Sequence, residues 1–136
     1  MASLVLTNAF LSVNAVDLSD HIESIKINYK ADTPENTAMA VTSKSRIAGL
    51  KEWDIDVTFN QDYATSKVDA TLFPLVGAAA FAIIARPDAG VQSTTNPTFA
   101  GNALLASYEP VSGKVGDVAK APIKLIGTGT LTRTAT

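Results

Sequence analysis

Along this chain of 136 residues, apolar and polar positions alternate with a period of two in several separate stretches. The clearest is Lys51–Asn60. Trp53, Ile55, Val57 and Phe59 point one way, and Glu52, Asp54, Asp56, Thr58 and Asn60 the other, which predicts a strand with one dry face and one wet, acidic face. A second, shorter strand follows from Ile25, Ile27 and Tyr29 alternating with Lys26 and Asn28. From Ile123 to Thr132 the polar side holds Lys124, Thr128, Thr130 and Thr132, and the apolar side Ile123, Leu125 and Leu131, with Gly127 and Gly129 between them. Ile126 interrupts the polar row, so both faces of that strand are expected to be partly covered. Enrichment in Ile, Leu, Val and aromatic residues predicts further strands at Ala9–Val13, Ala80–Arg86 and Leu104–Tyr108.

One helix fits the pattern, at about 66–76. Ser66 with Asp69 three residues later reads as a capping box. Val68, Leu72 and Leu75/Val76 recur at helical spacing, Pro74 ends regular hydrogen bonding near Phe73, and Gly77 suits a left-handed C-terminal position. The helix is therefore short, two to three turns, docked by one apolar stripe. Two long polar segments remain, Lys30–Gly49 and Pro87–Pro97. The first is poor in large apolar groups and carries Asp32, Glu35, Lys44 and Arg46. Structureless loops beyond about 12–15 residues are uncommon in compact domains and usually serve a function.

Composition narrows the classes. The length suits one domain, at about 100–200 residues each. Hydrophobic residues make up 46% and charged residues only 18%, which excludes disorder and implies less charged surface than a freely dispersed monomer carries. There is no cysteine, so disulfide scaffolds, thiolate metal sites and cysteine nucleophiles are excluded. A net charge of −2 argues against affinity for nucleic acid through a basic surface. Lys44 and Arg46 are the only close basic pair. No apolar stretch reaches the roughly 20 residues of a membrane-spanning helix. Met1–Leu11 lacks the basic flank and cleavage pattern of a signal peptide, so a soluble cytoplasmic origin is expected.

Catalytic constellations are sparse. His21 is the single histidine, flanked by Asp20 and Glu23; a relay with Ser19 fails because residues so close in sequence cannot face one another as nucleophile and base must, so it reads as a turn residue between strands. Gly127-Thr128-Gly129 lacks the lysine and the strand-to-helix context of a phosphate loop, and reads as a bulge or a close backbone approach. Neighbouring acids of the row Glu52, Asp54, Asp56 lie about 6.5–7 Å apart on one strand face. That separation suits a glycosidase pair, but such carboxylates face a sugar from two sides of a cleft. A solvated face of a half-buried strand is the simpler reading, and a negative wall along a channel a third. No enzyme, cofactor or metal is expected.

Three stretches together carry a resemblance: Val13-Asn14-Ala15-Val16-Asp17-Leu18-Ser19-Asp20-His21; WDIDVTFNQDYATSKVDATLFPLVG from Trp53 to Gly77; and NPTFAGNALLASYEP, SGKVGDVAKAPI and GTGTLTR between Asn96 and Arg133. Through these the chain resembles the major tail tube proteins of long-tailed, non-contractile bacteriophages, especially those of actinobacterial hosts. The resemblance runs from Val13 to Arg133. It implies a mainly β fold, a small β-sandwich or barrel with one short flanking α-helix and a long inter-ring loop, forming a single tail tube domain over residues 1–136. It also implies hexameric rings stacked into a tube that conducts the genome, in a virion tail assembled in the bacterial host cytoplasm. The implied partners are further copies of the chain, a tape-measure protein, a tail terminator and distal tail or baseplate proteins. DNA would be passing cargo without specific binding, and no membrane is entered.

On this reading Glu52, Asp54 and Asp56 line a negative lumen, and Lys30–Gly49, with Asp32, Glu35, Lys44 and Arg46, reaches the adjacent ring. The chain departs from the pattern in lacking the immunoglobulin-like decoration domain of some relatives, and in having Ala15 where a turn glycine is expected. Two alternatives stand beside it. One is a tail terminator or other ring-forming tail or secretion-tube component. The other is a carbohydrate-binding β-sandwich, which would expose a strip of aromatic side chains.

Overall fold

A computed structural model describes residues 5–135; the Met1–Leu4 part of the leader reading lies outside the described residues. In chain order the elements are β1 (Phe10–Val13), β2 (Val16–Asp17), a 3-10 turn (Ser19–His21), β3 (Ile22–Ala31), β4 (Lys51–Asn60), α1 (Val68–Leu72), a second 3-10 turn (Phe73–Leu75), β5 (Phe81–Arg86), β6 (Thr98–Tyr108) and β7 (Lys120–Thr134). The strands form one seven-stranded antiparallel sheet in the order β2-β1-β5-β6-β7-β4-β3. Alternation puts Leu11 and Val13 of β1, the four apolar residues of β4, Phe81, Ile83 and Ala85 of β5, and Ile123 and Leu125 of β7 into a single buried cluster. Strands far apart in the sheet order thus share one core, so the sheet wraps onto itself. The mainly β architecture with one short helix is the one expected.

The wrap is made where β7 changes partners. β7 pairs with β4 only from Lys120 to Ile126, then continues along β6 to Thr134. Between the pairs Ala100↔Thr132 and Asn102↔Thr128, β7 advances further than β6, and Gly129 takes a φ of +85° inside this irregularity. Trp53, 3% exposed, fills the corner. Its ring lies flat against Gly127, where a Cβ would overlap the indole, and against Gly101, where a Cβ would sit 2.6 Å from a ring carbon. The indole N–H donates to the Gly129 carbonyl at 3.3 Å. The glycines of the closing strand are therefore a close approach combined with a bulge, as their place within a strand implies.

Several boundaries differ from the sequence expectation. β6 starts at Thr98, well before Leu104, because its first half holds the small residues Ala100 and Gly101, which give way to Trp53 and carry little apolar pattern. β2 is too short to show a period. The β1–β2 turn has φ of 50° at Asn14 and 68° at Ala15, so alanine occupies a left-handed position of a type I′-like turn that favours glycine. The outer side of Ile126 is not covered within the protomer: the residue is 38% exposed beside Leu104.

The helix departs most. α1 spans only Val68–Leu72 before Pro74 enforces a 3-10 turn, and the Ser66 capping box does not form. Ser66 has a φ of 62° and Lys67 is the extended N-cap, without a side-chain cap bond. Asp69 is used instead as acceptor for the Tyr108 hydroxyl, at 2.7 Å, which ties the helix to β6. This bond and burial push the Tyr108 hydroxyl up to about 12, burial being the larger cause. Val68, Leu72 and Leu75 form the buried stripe, and Gly77, at φ +77°, ends it. The segment Pro87–Pro97 is also less open than its composition implies. The side-chain amide of buried Asn96 donates to the carbonyls of Asp88, Gly90 and Val91 and accepts from the Asp88 N–H.

Two substitutions test this account by urea unfolding. Ala15→Gly relieves the left-handed backbone and stabilises by about 0.5–1 kcal/mol. Gly127→Ala drives a methyl into the indole and costs about 3 kcal/mol, with a shift of Trp53 fluorescence. A neutral Gly127→Ala would disprove the corner packing.

Candidate functional site: the outer face of β3, β4 and β7

The face of the sheet turned away from the core is the wet face read from β4. Glu52, Asp54 and Asp56 lie on it together, as the period of two requires. They do not form a bare acidic wall, because the neighbouring strands interleave lysines with them. In register, Lys30 stands opposite Glu52, Asn28 opposite Asp54 and Lys26 opposite Asp56 on β3; Ile126 and Lys124 stand opposite Asp54 and Asp56 on β7. Lys124 Nζ lies 3.6 Å from Asp54 and 3.5 Å from Asp56. Lys30 reaches Glu52 at 3.4 Å, and Lys120 pairs with Glu23 and donates to the Asn60 side chain at 3.1 Å. The Asn28 amide donates to Asp54 at 2.8 Å and, more weakly, to Asp56 at 3.5 Å.

Asp54 is the most enclosed acid of the row, its side chain 16% exposed. The hydrogen bond from Asn28 holds its carboxyl below the usual range; Lys124 and Lys30 add to this, and partial burial opposes it. Each exposed ion pair is worth about 0–1 kcal/mol, so the lattice matters as a charge pattern more than as a brace.

This arrangement offers little for catalysis. Each acid of the row already has a cationic or amide partner on an adjacent strand. Among the described residues no group of three or more His, Cys, Asp or Glu is placed to hold a metal ion. Ser19 and His21 point apart: the Ser19 hydroxyl donates to Asp17 and accepts from the Leu11 N–H. The His21 ring instead lies between Asp20, 2.7 Å from Nδ1, and Asp62, 2.9 Å from Nε2, joining the start of β3 to the segment before α1. Asp62 is held below its ordinary range, first by the Ala64 N–H and then by His21. Trp53 and Phe59 are buried in the core and form no exposed aromatic strip.

The long segment after β3 is not structureless. The hydrogen bonds Asp32 N to Leu50 O (2.8 Å), Ile47 N to Pro34 O (3.0 Å) and Asn36 N to Ser45 O (2.9 Å) continue the β3–β4 hairpin outward as a thin ribbon. An isolated bridge joins Glu35 and Arg46, whose side chains meet at 4.0 Å. Asp32, Glu35, Lys44 and Arg46 are all exposed on this arm. The arm also carries apolar groups that no period along the chain marks. Met39 is 96% exposed, and Val41, Ile47 and Leu50 are also largely uncovered. Apolar side chains inside a polar loop with no period were the available signal. At the other end of the ten-residue β4, about 33 Å away, Tyr63, Val111, Val115 and Val118 are exposed as well.

No protein-family model matches the chain, and no curated protein matches it. Solved structures do. The chain aligns with a chain of the PVC sheath/tube terminator structure of an extracellular contractile injection system in the extended state, at a TM-score of 0.75 and 17% identity over 99% of both chains. It aligns with a chain of the native gene transfer agent virion at a TM-score of 0.70 and 15% identity, covering 94% of this chain and 96% of that one. A chain from the tail of the empty gene transfer agent particle, refined with C6 symmetry, gives a TM-score of 0.65 and 17% identity, with coverage of 85% and 83%. At such identities the likeness establishes the fold, a tail tube-like β domain.

The charge lattice has a measurable consequence. Asp54 should titrate below its ordinary value of 3.8 when followed by carboxyl carbon NMR, and Asn28→Ala should raise its midpoint. Because the folded value is depressed, the stability that Asp54 contributes is present above the unfolded value and is lost as pH falls through the folded one. A wild-type midpoint at or above 3.8 would contradict the Asn28 bond.

Proposed function

We propose that this protein is a structural subunit of a phage-type tail tube, assembling into six-membered rings that stack into a conduit for DNA. The observation that carries the proposal is the two-ended protomer: on a tail tube-like fold, a self-paired arm exposes Met39 and Val41 at one end, and an apolar surface lies uncovered at the other. Two different, complementary ends make a head-to-tail contact, and such contacts propagate into stacks. The C6 symmetry of the gene transfer agent tail supports rings of six.

In this assembly Glu52, Asp54 and Asp56 face the lumen, and Asp32, Glu35, Lys44 and Arg46 lie on the inter-ring arm. The protein resides in the virion tail of a non-contractile phage, assembled in the host cytoplasm, and meets a tape-measure protein, a terminator and distal tail or baseplate proteins. A second reading is a terminator ring, with support from the alignment to a chain of the PVC sheath/tube terminator structure over 99% of both chains. Copy number separates the two, since a tube subunit is present in many rings per particle and a terminator in one.

Negative-stain microscopy of the concentrated protein, with and without the tape-measure protein, tests the proposal, and tubes are expected. Met39→Asp with Val41→Asp should leave the protomer folded, because both side chains are exposed, and abolish stacking. A protein that stays monomeric under all these conditions refutes the tube. Tubes formed as readily by the double variant would remove the arm from the contact.

A further inference from the structure

We propose that the acids of the outer face serve to occupy its lysines, so that the face of β3, β4 and β7 lets double-stranded nucleic acid pass without gripping it. The inference rests on the conduit reading for what slides past, while its electrostatic content concerns the protomer alone. A row of acids by itself would simply repel phosphate. The structure instead shows cations and anions alternating across three adjacent strands: Lys26, Asp56 and Lys124 in one row, and Lys30 and Glu52 in another. Lys120 joins Glu23 at the margin.

Lys124 is the central case. Its ammonium lies 3.6 Å from Asp54 and 3.5 Å from Asp56, so a phosphate reaching it must compete with two carboxylates fixed by the sheet. Asn28 in turn fixes those carboxylates from the other side. Affinity for DNA grows with the number of phosphates that free lysines neutralise, because each releases condensed counterions. Lysines already paired within the protein offer little of this. The charges on the face cancel one for one, leaving a surface that neither attracts nor strongly repels a polyanion. Next to the lattice, Leu104 and Ile126 present apolar surface with no donor for a phosphate oxygen. Asp54 is held below the usual carboxylate range, so this acid keeps its charge beside Lys124 in mildly acidic solution.

The test uses the soluble protomer and a 30-base-pair duplex of mixed sequence, followed by fluorescence anisotropy. At about 50 mM salt the parent should bind negligibly. Asp54→Asn with Asp56→Asn keeps the side-chain shapes and the amide bonds but frees Lys124 and removes the carboxylate that stands in register with Lys26. This variant should bind at least about tenfold more tightly, and raising salt to about 200 mM should remove the gain. Adding Lys26→Ala and Lys124→Ala to that variant should return binding to the parent level. If the Asn pair fails to fold, Glu52→Gln with Asp56→Asn, which spares the enclosed Asp54, frees Lys30 and leaves Lys124 one carboxylate instead of two, and should give a gain in the same direction. Parent protein that already binds as tightly as the variants overturns the proposal, as does a folded variant that gains nothing. A protomer that never forms tubes would refute the conduit and leave this measurement intact.

Discussion

The packing of Trp53 against Gly127 and Gly101 is the contact on which the rest of the fold depends. A seven-stranded antiparallel sheet encloses a core only if it turns a corner, and here β7 makes that corner by leaving β4 and continuing along β6. The departure would open a gap over the first residues of β4. The indole fills it, and it fits only because two backbone positions have no Cβ. The Trp53–Gly129 hydrogen bond then satisfies the one polar atom that burial of the indole brings inside. Tryptophan in β4 and glycines in β6 and β7 therefore act as one unit, although they are far apart in sequence.

That distance explains which features were legible before the structure. β4 was readable residue by residue, because one buried face and one solvated face leave an unbroken period of two. The first half of β6 was not, because its small residues are selected by the Trp53 ring and not by their own alternation. The helix was legible by its stripe, Val68, Leu72 and Leu75, but not by its cap: the Ser66 pattern is local, whereas Asp69 answers to Tyr108 on another element. At the candidate site, alternation put Glu52, Asp54 and Asp56 on one face, and the structure agrees. Their partners Lys30, Asn28, Lys26 and Lys124 were unreadable as partners, since cross-strand register is set by β3–β4 and β4–β7 pairing and not by spacing along any one strand. The arm's self-pairing was hidden for the same reason.

Core and outer face are consequently coupled through β4. With a side-chain period of two, a slip of one residue would exchange Trp53, Ile55, Val57 and Phe59 with the charged row. The core forbids this, since Ile55, Val57 and Phe59 are almost wholly enclosed. The same constraint fixes which lysine meets which acid. A charge pattern made of individually weak surface pairs is thereby held in place by the hydrophobic register beneath it, and needs no strength of its own.

The low charged fraction then takes on a geometric meaning. The charges on the sheet face cancel there, while each end of the protomer exposes apolar residues: Met39, Val41, Ile47 and Leu50 on one, Tyr63, Val111, Val115 and Val118 on the other. A monomer with a single apolar end would pair with itself through a two-fold contact and stop. Unlike ends cannot be satisfied by a closed pair, because each copy that covers one leaves the other open. Growth continues until something else covers the last end, so the proposed tube requires a terminating partner on physical grounds, whatever sets its length.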